Sequence, residues 1–224
     1  MSSIGNDIIA LKTIDIPRTQ NPRFYSKILS PAEQQLYKDS CQSIPFHYFL
    51  WLLWSVKESA YKCLQRLQPE LVFSPVKIEI SNLDVPESTP ISFPRVIENT
   101  VFNHLESFKS IIKFNSQTLY ACSIMYGDEL IHTVALFQDD FENVAWGIKK
   151  INETNPESQS AAVRSFLLDK MKITFPGDDL SIGKSTSGYP FIISNGKEIP
   201  MPLSLSHHEC YVGYAFVFPT SSPS

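Results

Sequence analysis

The sequence predicts an α+β fold made of two similar copies. Three observations carry this: one strongly amphipathic helix in each half, short strands on either side of each helix, and a closing strand, CYVGYAFVF (210–218), that resembles YACSIMY (120–126) in its aromatic and small residues.

In chain order, residues 4–11 (IGNDIIAL) read as a buried strand with one acid inside it, and SPAEQQLY at Ser30 as a capped helix start, with Ser at the cap, Pro next and Glu33 three residues on. Phe46 to about Arg66 reads as a helix, because Leu50, Leu53, Trp54, Tyr61 and Leu64 recur at helical spacing with no internal Gly or Pro. VKIEI (76–80) alternates like a strand, 84–95 is a Pro-rich loop, and TLYACSIMY (118–126) is a further strand. A turn at Gly127-Asp128 precedes the strand LIHTVALF (130–137), which divides the chain into subdomains 1–127 and 131–218. The second holds a helix from Gln159 to Lys172 with Val163, Phe166, Leu167 and Met171 on one face, then a Gly/Ser-rich loop. The tail 219–224 is expected to be disordered.

Composition narrows the function classes. With 43% hydrophobic and 19% charged residues the chain is that of a globular protein, and its longest apolar run, Phe46 to Val56, is too short to span a bilayer. The N-terminus has neither a basic opening nor a cleavage pattern, so a mature, cytoplasmic protein is expected. Cys41, Cys63, Cys122 and Cys210 form no CxxC and read as reduced, mostly buried thiols. A formal net charge of −4 disfavours nucleic acid as a partner. Residues 1–66 nevertheless carry eight Lys or Arg against five acids, so an acidic partner is steered toward the first third.

Four segments carry candidate chemistry. In WSVKESAYK (54–62), Glu58 and Lys62 lie one turn apart on one helix face; by itself such a pair is a surface ion pair worth about 0.3–0.5 kcal/mol. Asp7 sits within an apolar strand, where a carboxylate is either a strand-end acid or is paired or holds a cation. Together Asp7 and Glu58 supply two oxygen ligands of the kind Mg²⁺ takes alongside substrate phosphates. Ser206-His207 precedes the final strand without any G-x-S-x-G elbow, so a hydrolase triad has no support. The loop Lys184 to Pro190 offers a lysine and hydroxyls to a phosphate, without Walker spacing.

In this order the four segments resemble the 4′-phosphopantetheinyl transferase superfamily. IGNDII looks like its G-x-D strand; Arg23-Phe24, Ile28-Leu29-Ser30 and Glu33 are similar to the R-F…L-[ST]-x-x-E segment of holo-acyl-carrier-protein synthases; WSVKESAYK matches W-[ST]-x-K-E-[AS]-x-x-K; Gly188-Tyr189-Pro190 and Ser204-Leu205-Ser206-His207 match G-x-P and S-L-S-H. Two features depart from the longer, surfactin-synthetase-type enzymes. Ile9 stands where their G-x-D-x-E strand has a second acid, and the helix 162–170, the Lys184–Pro190 loop and Ser206-His207 follow the G-x-D strand instead of preceding it.

The resemblance implies two transferase-like subdomains related by a pseudo-twofold, with the active site at their interface in a monomer. It implies Mg²⁺ on Asp7 and Glu58 with water in the vacant place, coenzyme A as co-substrate, and an acidic apo carrier protein whose serine attacks. Lys62 and His207 would neutralise pyrophosphate oxygens, Ser206 and Pro190 would line the coenzyme A site, Lys184 would hold the 3′-phosphate, Glu58 or a metal-bound water would take the serine proton, and Lys57 would brace the site. A non-catalytic module that binds coenzyme A or a carrier is the alternative, motivated by Ile9.

Overall fold

A computed structural model describes residues 3–218 other than 104 and 187, and for residue 99 the backbone alone; the expected tail 219–224 lies outside the described residues. Helices and strands are mixed along the chain, as the α+β class requires. The geometry of the fold starts at β1 (Ile4–Ala10), which is buried along its whole length. Its side chains alternate between two cores, as a strand's period of two dictates. Ile9 joins the core beneath α4 (Phe46–Gln65), whereas Ile4, Ile8 and Ala10 join a core between two sheets.

The helix α4 holds twenty residues with neither Gly nor Pro, and Leu50, Leu53, Val56, Ala60 and Leu64 form the stripe it buries on the first sheet. That burial needs close approach. A Cβ on Gly5 would lie 1.9 Å from the carbonyl oxygen of Ser59 and 2.7 Å from the amide nitrogen of Cys63, so only glycine lets α4 settle this near β1. Ahead of α4, α1 (Ile16–Thr19) and α2 (Pro22–Tyr25) are single turns capped by Asp15 and Asn21. The helix α3 (Pro31–Ser40) starts with the full Ser30–Glu33 capping box and Pro at its first position.

The first sheet runs in the order β1, β6 (Leu130–Leu136), β5 (Gln117–Tyr126), β4 (Phe108–Phe114) and β2 (Glu79–Asp84), and the pairs along it are antiparallel. The second has the order β11 (Leu203–His208), β12 (Tyr211–Val217), β7 (Val144–Lys150) and β3 (Val96–Thr100). A small third sheet joins β8 (Leu180–Lys184), β9 (Pro190–Ser194) and β10 (Lys197–Ile199). Against the second sheet lies α5 (Pro156–Thr174), whose Val163, Phe166, Leu167 and Met171 pack with Tyr214 and Phe216.

Two sequence expectations are corrected here. VKIEI is not one strand: Pro75–Lys77 closes a 3-10 turn, because proline fixes its φ and brings no N–H to a ladder, and β2 begins only at Glu79. Nor does a boundary at 127–131 separate the sheets. The strand β6, just beyond it, is inserted between β1 and β5, while β3, well before it, pairs with β7 of the second sheet. Each half still shows one succession of strand, helix and closing hairpin: β1, α4, β4–β5 and β7, α5, β11–β12. Among the described residues no helix is long and apolar enough to cross a membrane.

The Gly5 contact makes a direct prediction. Gly5→Ala is expected to cost about 1–3 kcal/mol or more in urea unfolding, because the atoms met by the new methyl are backbone and cannot rotate aside. A variant as stable as the native protein would show that α4 does not bear on β1 at this point.

Candidate active site

Gly5, Asp7 and Ile9 share the face of β1 that meets α4, so the glycine that admits the helix also aims Asp7 at it. The Lys62 ammonium stands 3.2 Å from Asp7 Oδ1 and 3.4 Å from Glu58 Oε1, and donates to the Asn6 carbonyl at 2.9 Å. Trp54, one turn before Glu58, donates its indole N–H to Glu58 Oε2 at 3.0 Å. Asp7 is almost wholly buried, and its Oδ2 has no hydrogen-bond partner among the described residues. Glu58 and Lys62 are each about a third or less exposed, so the cluster has a buried floor and an open top.

Burial dominates the Asp7 carboxyl and Glu58 adds repulsion; the attraction of Lys62 offsets only part, and the pKa is pushed up to about 7. Lys62 shows the reverse balance. Burial alone lowers it, but Asp7 and Glu58 together hold it above the ordinary lysine value.

The second sheet meets this cluster through side chains. Ser204 Oγ accepts the Asn6 backbone N–H at 3.0 Å, Ser206 Oγ accepts from Asn6 Nδ2 at 2.8 Å, and His208 Nδ1 accepts the Ala10 N–H at 2.7 Å. Ser206 is therefore buried in the seam, where its hydroxyl orients Asn6. Its neighbour His207 faces the other way and is exposed; burial of part of the ring lowers its pKa, Lys62 and His208 lower it further, and Glu58 opposes them. His207 thus stands within the electrostatic reach of both charged residues of the helix.

A cavity of about 250 Å³ opens beside Lys62, lined by Gln65, Arg66, Tyr189, Pro190, Ser204 and Leu205 among others. Arg66 anchors its wall by donating to the Pro190 carbonyl at 2.9 Å while its guanidinium lies 4.8 Å over the Tyr189 ring. The structure so brings Asp7, Glu58, Lys62, Pro190, Ser206 and His207 to one seam.

It does not bring Lys57 or Lys184 there. Lys57 is wholly enclosed and gives its three protons to Glu33 Oε2 at 2.7 Å, the Ile28 carbonyl at 2.7 Å and the Pro75 carbonyl at 3.0 Å. Glu33 in turn accepts the Ser30 and Ile80 amides, each at 2.8 Å. The expected catalytic Lys57 is hence a core residue that cannot touch a substrate, because one residue along a helix turns the side chain by about 100° away from Glu58. Lys184 is exposed at the end of β8, opposite Pro190 in register, and does not line the cavity; Arg66 and Lys62 are the cations there. Arg66, Trp54 and Asn6 are the residues that sequence reading missed. Arg66 and Trp54 stand four residues either side of Lys62 and Glu58, a spacing that was available.

Among the described residues no group of three or more His, Cys, Asp and Glu side chains could hold a metal ion. The donors present are the two carboxylates, Asp7 and Glu58, with one buried oxygen of Asp7 unpartnered. Two hard oxygen donors are what Mg²⁺ takes from a protein when phosphates and water complete its shell, so the pair fits that ion.

Residues 3–125 match the family model described as the 4′-phosphopantetheinyl transferase superfamily. No curated protein and no solved structure matches the chain.

Asp7 gives this site a pH signature. In the folded protein it keeps its proton up to about pH 7, whereas its ordinary value is 3.8. Between those values the folded state binds more protons than the unfolded state, so stability falls as pH rises and levels off above the folded value. With metal chelated, unfolding by urea from about pH 4 to about pH 8 should show this fall, and Asp7→Asn should remove it. An unchanged slope in the variant would mean that Asp7 is ionised throughout.

Proposed function

Because the chain belongs to the 4′-phosphopantetheinyl transferase superfamily, we propose that it moves the 4′-phosphopantetheine arm of coenzyme A, with Mg²⁺, onto a serine of an acidic apo carrier protein, releasing adenosine 3′,5′-bisphosphate. The observation that carries this reading is the meeting of Asp7, Glu58 and Lys62 at the seam where His207 also stands. Two carboxylates and two nitrogen donors around one opening suit a pyrophosphate held by a divalent ion, and suit neither a nucleophile nor a hydrolytic triad.

Asp7 and Glu58 would hold Mg²⁺, which when bound draws charge from the pyrophosphate oxygens and eases departure of the bisphosphate. Lys62, released from the carboxylates, pairs with a pyrophosphate oxygen, and His207 donates to another from the second sheet. The carrier serine oxygen bonds to the phosphorus bearing the pantetheine arm while the bond from that phosphorus to the bridging oxygen breaks. Glu58 accepts the serine proton, and the electron pair of the broken bond leaves with the bisphosphate. The cavity beside Lys62, with Arg66, Tyr189 and Pro190, takes the nucleotide end.

In this reading the successions β1, α4, β4–β5 and β7, α5, β11–β12 are two related units about a pseudo-twofold, with Asp7, Glu58 and Lys62 from the first and Pro190, Ser206 and His207 from the part of the chain that holds the second. One chain then holds a whole site and works as a monomer. Arg18, Arg23 and Lys27 on and after the short helices are exposed, and offer the acidic carrier its docking charge.

Asp7→Ala and Glu58→Ala are each expected to lower transfer by about 100- to 1,000-fold with the fold retained, read by release of adenosine 3′,5′-bisphosphate from coenzyme A and an apo carrier. Activity surviving both changes at ordinary Mg²⁺ concentrations would sink the carboxylate assignment. Coenzyme A binding without any release by the native protein would favour the non-catalytic module.

Reversing charge at Arg23 and Lys27 is expected to raise the KM for the carrier several-fold and to weaken its salt dependence, with the KM for coenzyme A unchanged. A carrier KM that does not move would place docking elsewhere.

A further inference from the structure

All seven residues of β1 are buried, and only Asn6 and Asp7 among them are polar. Asp7 faces α4 and belongs to the charged cluster. The Asn6 side chain points the other way, and the chemistry described so far gives it no part. Its Nδ2 donates to Ser206 Oγ at 2.8 Å and lies 3.4 Å from His132 Nε2, but its buried Oδ1 has no hydrogen-bond partner among the described residues. An unpaired amide oxygen in a core is destabilising, and an apolar residue would suit this strand better. The carboxamide is therefore explained by what its N–H groups hold and not by stability.

Three bonds converge on this residue. Its backbone N–H donates to Ser204 Oγ at 3.0 Å, its carbonyl accepts from Lys62 Nζ at 2.9 Å, and its side chain holds Ser206. Ser206 donates in turn to the Gly213 carbonyl of β12 at 3.5 Å, so the donors run in one direction from Asn6 into the second sheet. Behind the carboxamide stands His132, which burial and then Lys62 push down to a pKa of about 3, so the ring stays neutral. For His207 too, Lys62 is the next cause after burial that lowers the pKa, which places the ammonium within reach of both rings.

No backbone ladder joins β1 to β11, so side-chain bonds alone fix the height of Ser206-His207 against Lys62. Two of them, Ser204 to the Asn6 N–H and His208 to the Ala10 N–H, use backbone groups that any residue but proline would supply. Only the bond to Ser206, the neighbour of His207, depends on which side chain stands at position 6.

We propose that Asn6 is a positioning residue that sets the separation of the Lys62 ammonium and the His207 imidazole, holding the first by its carbonyl and the second through Ser206. This rests on the transfer reading above, in which those two groups are the nitrogen donors to the pyrophosphate. Such donors have to be held to within about 0.5 Å to act on charge that develops in the transition state, so loosening one lowers the rate more than it lowers binding.

Asn6→Leu keeps the size of the side chain and removes its N–H groups while leaving the carbonyl to Lys62. It is expected to lower kcat for release of adenosine 3′,5′-bisphosphate about tenfold, with the KM for the carrier within about twofold of native. The same change made in a His207→Ala protein should cost less than about twofold, because the group through which Asn6 acts is already gone. A residue that only supports the fold would cost the same factor in both backgrounds. A kcat within about twofold of native for Asn6→Leu, or an equal loss with and without His207, overturns the proposal. Ser206→Ala removes the same bond from the other side and leaves β1 untouched, so it carries the test if Asn6→Leu does not fold; the same loss and the same dependence on His207 are expected.

A second readout needs no turnover. In carbon-13 NMR of the histidine rings, Asn6→Leu should shift the His207 signal and leave that of His208, which is tied to the Ala10 amide. If the native protein releases no bisphosphate but the His207 signal shifts, the transfer reading falls and the hold of Asn6 on His207 stands. If the native protein is active and neither the signal nor kcat moves, the positioning role falls and the transfer reading stands.

Discussion

The contact between α4 and β1 at Gly5 is the constraint from which the rest of the molecule follows. Twenty residues of helix bury an apolar stripe on a strand that is itself buried on both faces, and the distance between the two is set by a position with no side chain. At that distance a carboxylate two residues further along β1 meets Glu58 and Lys62 in the fourth and fifth turns of the helix. A longer separation would let water between Asp7 and Lys62 and would return each to its ordinary titration. The perturbed acid, the retained lysine and the unpartnered oxygen are consequences of one close approach.

The other side of β1 is joined differently. No backbone ladder runs from β1 to β11; Ser204, Ser206 and His208 reach across and satisfy amides and an amide side chain of the edge strand instead. Side-chain bonds of this kind fulfil the buried backbone donors without forcing the two sheets into one register. They also leave the odd-numbered residues of β11, His207 among them, pointing to the opening. The seam that holds the sheets together is thus the element that presents the second sheet's chemistry to the first.

Much of this was legible in the sequence. The bounds of α4 were read to within one residue, since nothing interrupts its period, and the capping box at Ser30 and Glu33 was read from spacing alone. Lys57 could have been read better. Residues 50, 53, 57, 60 and 64 form one helical stripe, and a lysine within an apolar stripe has to be enclosed and paired, as it is with Glu33. What the sequence could not provide was long-range pairing. That β6 lies between β1 and β5 depends on contacts more than a hundred residues apart, and a turn at Gly127-Asp128 looks the same whether it ends a unit or only a hairpin. The same limit hid the partnership of Arg66 with Pro190 and of His208 with Ala10.

The place of β6 has a further consequence during synthesis. The ladder partner of β1 is β6, and its last paired residue is Leu136. As the chain leaves the ribosome, the apolar strand made first therefore waits for more than half of the sequence before its backbone can pair. Over that interval the α4 segment is available to cover it on one face, but its unpaired amide and carbonyl edge is a template for other strands. A nascent chain stalled before residue 130 carries that edge uncapped, and is the form of this protein most in need of a chaperone.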